Sequence, residues 1–406
     1  MVSIELSDIR AARKRFDNEA VVRHTPLETS RSLSRMSGAD VHLKMEHLQR
    51  TGSFKTRGAY NKLKQVAAAG GVNRVVAASA GNHAQGVALA ATTVGIDSTI
   101  VMPKSAPQTK IDATRDYGGD VELHGSNFPE AMAYAKTLTE AEDTIFVHAY
   151  DDPDIVAGQG TIGLEIHADL PEVDTVIVPI GGGGLIGGIS TALKTLDPSI
   201  HVVGVQAEAA ATVPESLDKG SPHSIDHPDT IADGIATGGI SELTYDLIER
   251  HVDEVITVSD DQISSGILIL LERAKQLVEG AGAVSVAALL SDELDVEGET
   301  VVPLLCGGNI DMSMLQTVLT HALTERAQLL RLRVKIDDQP GKMTQISGII
   351  ADEGANIRDV RHDRAVDDLR VGEAYLVFQV VTSGTEHAKS IGKAIEQAGY
   401  EVERMN

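Results

Sequence analysis

Three times in this chain a largely apolar run stops at a cluster of glycine and small residues, and the first two then give way directly to a helical stretch. Arg74-Val75-Val76-Ala77-Ala78 runs into Ser79-Ala80-Gly81-Asn82-His83. Val176-Ile177-Val178-Pro179-Ile180 runs into Gly181-Gly182-Gly183-Gly184-Leu185, and Val302-Pro303-Leu304-Leu305 into Cys306-Gly307-Gly308. Short unbroken apolar runs bounded by turn residues read as strands buried on both faces. Strands alternating with helices over roughly residues 70–310 predict an α/β architecture with parallel sheets. A glycine turn that opens a helix points free N–H groups at whatever lies beyond it, which suits an anion. Four successive glycines let several of those groups converge on one phosphate. Residues 175–193 carry no charge, so a membrane span must be weighed. Six glycines and Pro179 in that stretch favour a buried strand–turn–helix instead.

Lys55 lies in Gly52-Ser53-Phe54-Lys55-Thr56-Arg57-Gly58-Ala59. A lysine between an aromatic and small or hydroxyl residues is a candidate for a Schiff base with an aldehyde. The amine must reach its partner and be partly desolvated, so that it loses its proton and attacks. Phe54 is placed to pack beside such a partner, and Ser53 to cap the following helix. The plain alternative is a helix start with a solvated lysine. Asn82 can offer its amide to a ring oxygen, or simply cap its helix. Cys306 is the only cysteine, and most free cysteines are small buried hydrophobes.

Taken in order, these four segments resemble the fold-type II pyridoxal-phosphate enzymes, and more closely the threonine/serine dehydratase (threonine ammonia-lyase) group. Met102-Pro103-Lys104 to Lys110, Asp151-Asp152-Pro153 with Ala157-Gly158-Gln159-Gly160-Thr161, and Ile231-Ala232-Asp233-Gly234-Ile235 agree with that group. The resemblance spans roughly residues 8–320. It implies pyridoxal 5'-phosphate as cofactor, with Lys55 as the catalytic lysine that holds it. It implies that Phe54, Asn82, the Gly181–Gly184 loop with Leu185, and Cys306 contact the cofactor: the loop its phosphate, Asn82 its ring hydroxyl, Cys306 its pyridine nitrogen. The turn Ser79, Ala80, Gly81, Asn82 and His83 is implied to bind the substrate carboxylate. A neutral thiol at the ring nitrogen implies a moderate electron sink, which favours loss of a β-leaving group over transamination.

Two departures from relatives matter. Serine racemases of this group place a serine where this chain has Ala80, which implies little racemisation here. Relatives with a cation site use acidic residues where Gln206 and Thr212 stand, so no such metal is expected; Glu208 remains nearby. Glu279 is read either as facing the ring or as a solvated or supporting group.

Beyond a helix expected over Met312 to Gln328 the pattern changes. Alternating apolar and charged residues at Leu330–Ile336, 358–364 and 373–382, with helices at 342–353 and 386–398, predict βαββαβ. With Asp338-Gln339-Pro340-Gly341 and Gly354-Ala355-Asn356-Ile357, this resembles an ACT domain, a small-molecule regulatory module; a ligand-free dimerisation domain is the alternative. The expected division is a catalytic domain over 1–325, holding a small subdomain at about 43–146, and an ACT-like domain over 330–406.

The net charge of −24 repels nucleic acid and anionic membrane. Nearly all of it lies on residues 1–330, because 11 basic and 13 acidic residues almost cancel over 331–406. A solvated surface or a high-salt interior accounts for it equally. One cysteine and a mixed-charge start without an apolar core point to the cytoplasm. The reaction implied is β-elimination of water from L-threonine to give 2-oxobutanoate and ammonia, with L-serine as a further substrate. Feedback by isoleucine, or else valine, and a homodimer or homotetramer come with the resemblance. A serine dehydratase or racemase is the near alternative. A non-catalytic amino-acid sensor is a more distant one, and intact Lys55 argues against it. Gly182 to Gly187 with Glu208 also fits a dinucleotide pattern, but leaves Lys55, Asn82 and Cys306 unexplained.

Overall fold

The computed structural model describes residues 4–140, 142–226 and 228–405. The chain parts into two compact units, Met1–Ile310 and Asp311–Asn406. The expected boundary near residues 325–330 lies later than this. The helix Met312–Glu325 contacts the strand Leu329–Asp337 and groups with the second unit.

The first unit holds two sheets. The larger orders Leu27–Thr29, Asp40–Lys44, Thr300–Pro303, Thr175–Pro179, His201–Ala207 and Glu254–Val258. All neighbours are parallel except the first pair. The smaller orders Asp120–Leu123, Asp97–Met102, Arg74–Ala78 and Thr144–Phe146, all parallel. The smaller sheet thus sits within the span expected for the inserted subdomain, while Asp40–Lys44 belongs to the larger sheet. Thr175–Pro179 is buried at every position. Its β-branched residues suit a strand packed on both faces, and the helices Gly184–Leu196 and Gly280–Leu289 contact it. Among the described residues no helix is long and apolar enough to cross a membrane.

The helix Lys55–Ala69 packs between Asn82–Val94 and Pro153–Asp169. Glycines let these helices touch backbone to backbone. A Cβ on Gly158 would lie 2.7 Å from Arg57 O and from Gly58 Cα, and one on Gly86 would lie 3.1 Å from Lys55 C.

The second unit has the anticipated βαββαβ order after its leading helix. Its antiparallel sheet orders Asn356–Asp363, Glu373–Val381, Leu329–Asp337 and Glu401–Met405. Leu330, Leu332, Val334 and Ile336 are buried against Ile346, Ile350, Ile391 and Ile395 of the two following helices. Arg333 and Lys335 face the other way and pair with Glu403 and Glu373. That is the period-2 alternation of a half-covered sheet.

Candidate active site

The four segments singled out in the sequence converge because the chain zips them together. Phe54 N donates to Cys306 O at 3.2 Å and Gly308 N to Gly52 O at 2.9 Å, with a bridge between Ser53 and Gly307. This draws the start of the lysine helix onto the turn after Thr300–Pro303. Asn309 Nδ2 donates to Asn82 Oδ1 at 2.7 Å and to Thr51 O at 2.7 Å. Asn82 Nδ2 donates in turn to Glu279 Oε1 at 2.6 Å, and Glu279 N donates to Gly307 O at 3.1 Å.

Around this knot lies a cavity of about 390 Å³. Phe54, Lys55, Ser79, Ala80, Gly81, Asn82, His83, Gly181, Gly182, Gly183, Gly184, Leu185 and Cys306 all line it. Lys55 is the first residue of its helix. Its Nζ donates to Ala149 O at 3.0 Å and lies 5.0 Å from the Phe54 ring centroid. Burial lowers its pKa to about 8, against the opposing pull of Cys306 and Glu279. The solvated-lysine reading does not describe such an amine. Ser53 does not cap this helix. Phe54 is the N-cap residue, with no side-chain cap bond, and the buried Ser53 hydroxyl has no partner.

Ser79 Oγ accepts from Gly81 N at 3.1 Å. That bond shapes the turn before the helix Asn82–Val94, whose N-cap is Gly81 rather than Asn82. His83 is buried, with Nε2 3.0 Å from Val147 O. Burial, aided by Lys55, pushes its pKa down to about 3, so its ring is neutral. The glycine turn is bare because no side chain fits. A Cβ on Gly182 would lie 2.2 Å from the Tyr150 ring, and Gly183 has φ of 85°. The first-turn amides of the helix Gly184–Leu196 have no carbonyl four residues back. Gly184 and Leu185 of that turn line the cavity, and such a helix N-terminus suits an anion such as a phosphate. Cys306 Sγ donates to Ala281 O at 3.2 Å, and burial pushes its pKa well above the ordinary thiol range. The thiol is neutral.

Sequence reasoning left one feature undecided and missed two others. Glu279 lines the cavity, and burial raises its pKa to about 7. Tyr150 forms the wall behind the glycine turn, held by His148, whose Nδ1 accepts from Asp151 N at 2.8 Å. Phe128 and Met132 bring an apolar patch from the small subdomain. A bulky aromatic two residues before Asp152-Pro153 was the available signal for Tyr150; the other two depend on tertiary contacts. Where a cation would need acids, Gln206 Oε1 instead accepts from Thr212 N and Val213 N at 3.0 and 2.8 Å, and Glu208 is exposed.

The residues fit pyridoxal phosphate by their donor chemistry: a desolvated amine, a glycine cradle for a phosphate, an amide and a neutral thiol around one cavity. A family model described as "Pyridoxal-phosphate dependent enzyme" matches residues 19–307. The L-threonine ammonia-lyase of Thermotoga maritima is 44% identical over 399 residues, covering 98% of this chain and 99% of that protein. The processed threonine deaminase isoform 2 of Solanum lycopersicum superposes with a TM-score of 0.74 at 37% identity, covering 78% of this chain and 87% of that one. Maize serine racemase superposes with a TM-score of 0.74 at 32% identity, covering 80% and 100%. The match displaces the dinucleotide alternative, and the chain belongs to the family of pyridoxal-phosphate dependent enzymes.

Proposed function

We propose that this protein is a threonine ammonia-lyase that eliminates water from L-threonine to give 2-oxobutanoate and ammonia, with L-serine as a second substrate giving pyruvate. The observation that carries this reading is the desolvated Lys55 amine in one cavity with the glycine cradle, Asn82 and a neutral Cys306. Full-length similarity to an L-threonine ammonia-lyase supports it. The cofactor, when bound, supplies the electron sink for the α-carbon.

The chain's own groups do the rest. Lys55 holds the cofactor and, once free, takes the α-proton at Nζ. Gly181–Gly184 and the Leu185 amide hold the phosphate. Asn82, braced by Glu279 and Asn309, orients the ring hydroxyl. The Ser79–His83 turn receives the substrate carboxylate at a helix N-terminus. Loss of the β-hydroxyl as water leaves an enamine, which water converts to the 2-oxo acid and ammonia. Ala80 offers no hydroxyl for reprotonation from the opposite face, so the racemase reading is the weaker one despite the likeness to maize serine racemase.

The lysine's depressed pKa has a checkable sign. Its proton leaves as pH rises through about 8, so at pH 7 roughly a tenth of the amine is free, against less than about 0.1% for an ordinary lysine. The rate at which stripped protein forms its covalent link to added pyridoxal phosphate should rise up to pH of about 8 and then flatten. Stopped-flow absorbance across pH measures it. A rate still climbing near pH 10 would contradict the desolvated site.

The C-terminal unit is proposed as an amino-acid regulatory module. Its helix Met312–Glu325 and open sheet face border a groove of about 790 Å³ lined by Thr317, His321, Arg331, Arg361 and Gln379. Isoleucine first, and valine second, should change the deamination rate or the assembly of a homodimer or homotetramer. Steady-state rates and light scattering with saturating effector test this; no change in either removes the proposal.

A further inference from the structure

We infer that Arg57 is a positioning residue for Lys55, acting through a buried ion network that holds the first turn of the lysine helix. This rests on the reading that Lys55 carries the cofactor. Four charged side chains, Lys44, Glu46, Arg57 and Glu165, lie together with at most 2% of their surface exposed. Their charges balance. Arg57 spends its whole fork there: Nε and Nη2 donate to the two Glu46 oxygens at 2.8 and 2.7 Å. Nη1 and Nη2 donate to the two Glu165 oxygens at 2.7 and 2.8 Å. Nη1 also reaches Thr161 Oγ1 at 3.2 Å, and Nη2 reaches Arg23 O at 3.1 Å. Lys44 Nζ closes the cluster on Glu165 Oε2 and Thr25 O, both at 2.8 Å. Burial works against the charge on Arg57, but Glu46 and Glu165 outweigh it and push its pKa further up.

Removing four charges from water costs more than an apolar cluster of the same volume would. What such a cluster provides, and apolar packing does not, is a fixed direction: a planar guanidinium gripped by two carboxylates tolerates one orientation. Two residues along a helix turn the side chain by roughly 200°, so Arg57 leaves the opposite side of the turn from Lys55. None of the four charged groups lines the cavity. Their action on Lys55 therefore runs through the backbone. The neighbouring helices leave room for no more than a hydrogen at Gly158 and little more at Gly86, where an added Cβ would lie 2.7 Å from Arg57 O and 3.1 Å from Lys55 C, so a shift of the turn would disturb the clamp. The clamp joins that turn to the Lys44 strand end and to the helix Pro153–Asp169.

Arg57→Lys keeps the charge and removes the fork. In the full-length holoprotein it should lower kcat by on the order of 10-fold or more while KM for threonine changes less than about threefold, since misplacing a reacting group by a fraction of an ångström costs rate. The pH midpoint for covalent cofactor uptake should also move. The groups facing Lys55, namely Glu279, Cys306, His83 and His148, are intact in this variant, so a moved midpoint reports the lysine's own placement. Should Arg57→Lys not fold, Thr161→Val removes the bond from Arg57 Nη1, together with the hydroxyl's own bond to Gly158 O, at nearly constant volume and should shift both readouts the same way by a smaller factor. A lowered melting temperature with kcat per cofactor-loaded site and uptake midpoint both unchanged, in whichever variant folds, would make the network purely structural and overturn the inference. Borohydride reduction followed by peptide mapping of the parent separates the two claims. Label on another lysine defeats the reading of Lys55 itself.

Discussion

Lys55→Ala should fold as the parent does, bind no cofactor covalently, and lose threonine deamination by at least about 10³-fold, the scale seen when a covalent catalyst is removed. The fold should survive because the Lys55 side chain contributes little to it. Its Nζ makes one hydrogen bond, to Ala149 O, and burial disfavours its charge. The loss should be almost entirely in kcat, since the glycine cradle and the Ser79–His83 turn remain. Absorbance in the visible and thermal unfolding, run side by side, measure both halves of the expectation. Retained activity above about 1% of the parent, well outside that scale, would move the chemistry to another base.

The second large effect is on stability, at a residue with no side chain. Gly158→Ala puts a Cβ 2.7 Å from Arg57 O and from Gly58 Cα. Both are backbone atoms, so no rotamer change relieves the contact and two packed helices must separate. A loss of about 3 kcal/mol is expected, at the upper end for overpacking. The contrast is Gly348→Ala, on an exposed stretch of the helix Lys342–Asp352 where an added Cβ meets nothing within 4 Å. That change should stabilise its own unit by about 0.5–1 kcal/mol. Denaturant unfolding of the two variants measures both signs. Equal and small effects would mean that helix contact at Gly158 does not limit packing.

The residues that proved easy to read in the sequence are those whose signal is local. A buried strand, a glycine turn and a helix follow one another within about fifteen residues, so Gly181–Gly184 and the Asn82 turn could be placed on structure before any fold was known. Leu330 to Ile336 alternated plainly enough to show a half-covered sheet. The helix Met312–Glu325 was legible as a helix but not as part of the second unit, because assignment to a unit depends on what a helix packs against. Charged residues were the hardest. Lys44, Glu46, Arg57 and Glu165 are four ions that in isolation read as surface, and only their meeting makes burial tolerable. Their sequence separations, up to 121 residues between Lys44 and Glu165, carry no pattern. Glu279 was undecided for the same reason: its place beside Asn82 is set by the bond from Glu279 N to Gly307 O and by the packing of the turn at Cys306. Gly58, Gly86 and Gly158 each mark a backbone contact that the sequence alone does not pair.

The most direct test of the central claim is 2-oxobutanoate formation from L-threonine by the purified full-length protein loaded with pyridoxal phosphate, with Lys55→Ala assayed in parallel. Product is expected from the parent, with ammonia in equal amount, and none above background from the variant. Covalently bound cofactor on Lys55 with no product from threonine or serine would contradict the assigned reaction, and product from the variant at the parent's rate would contradict the assigned lysine.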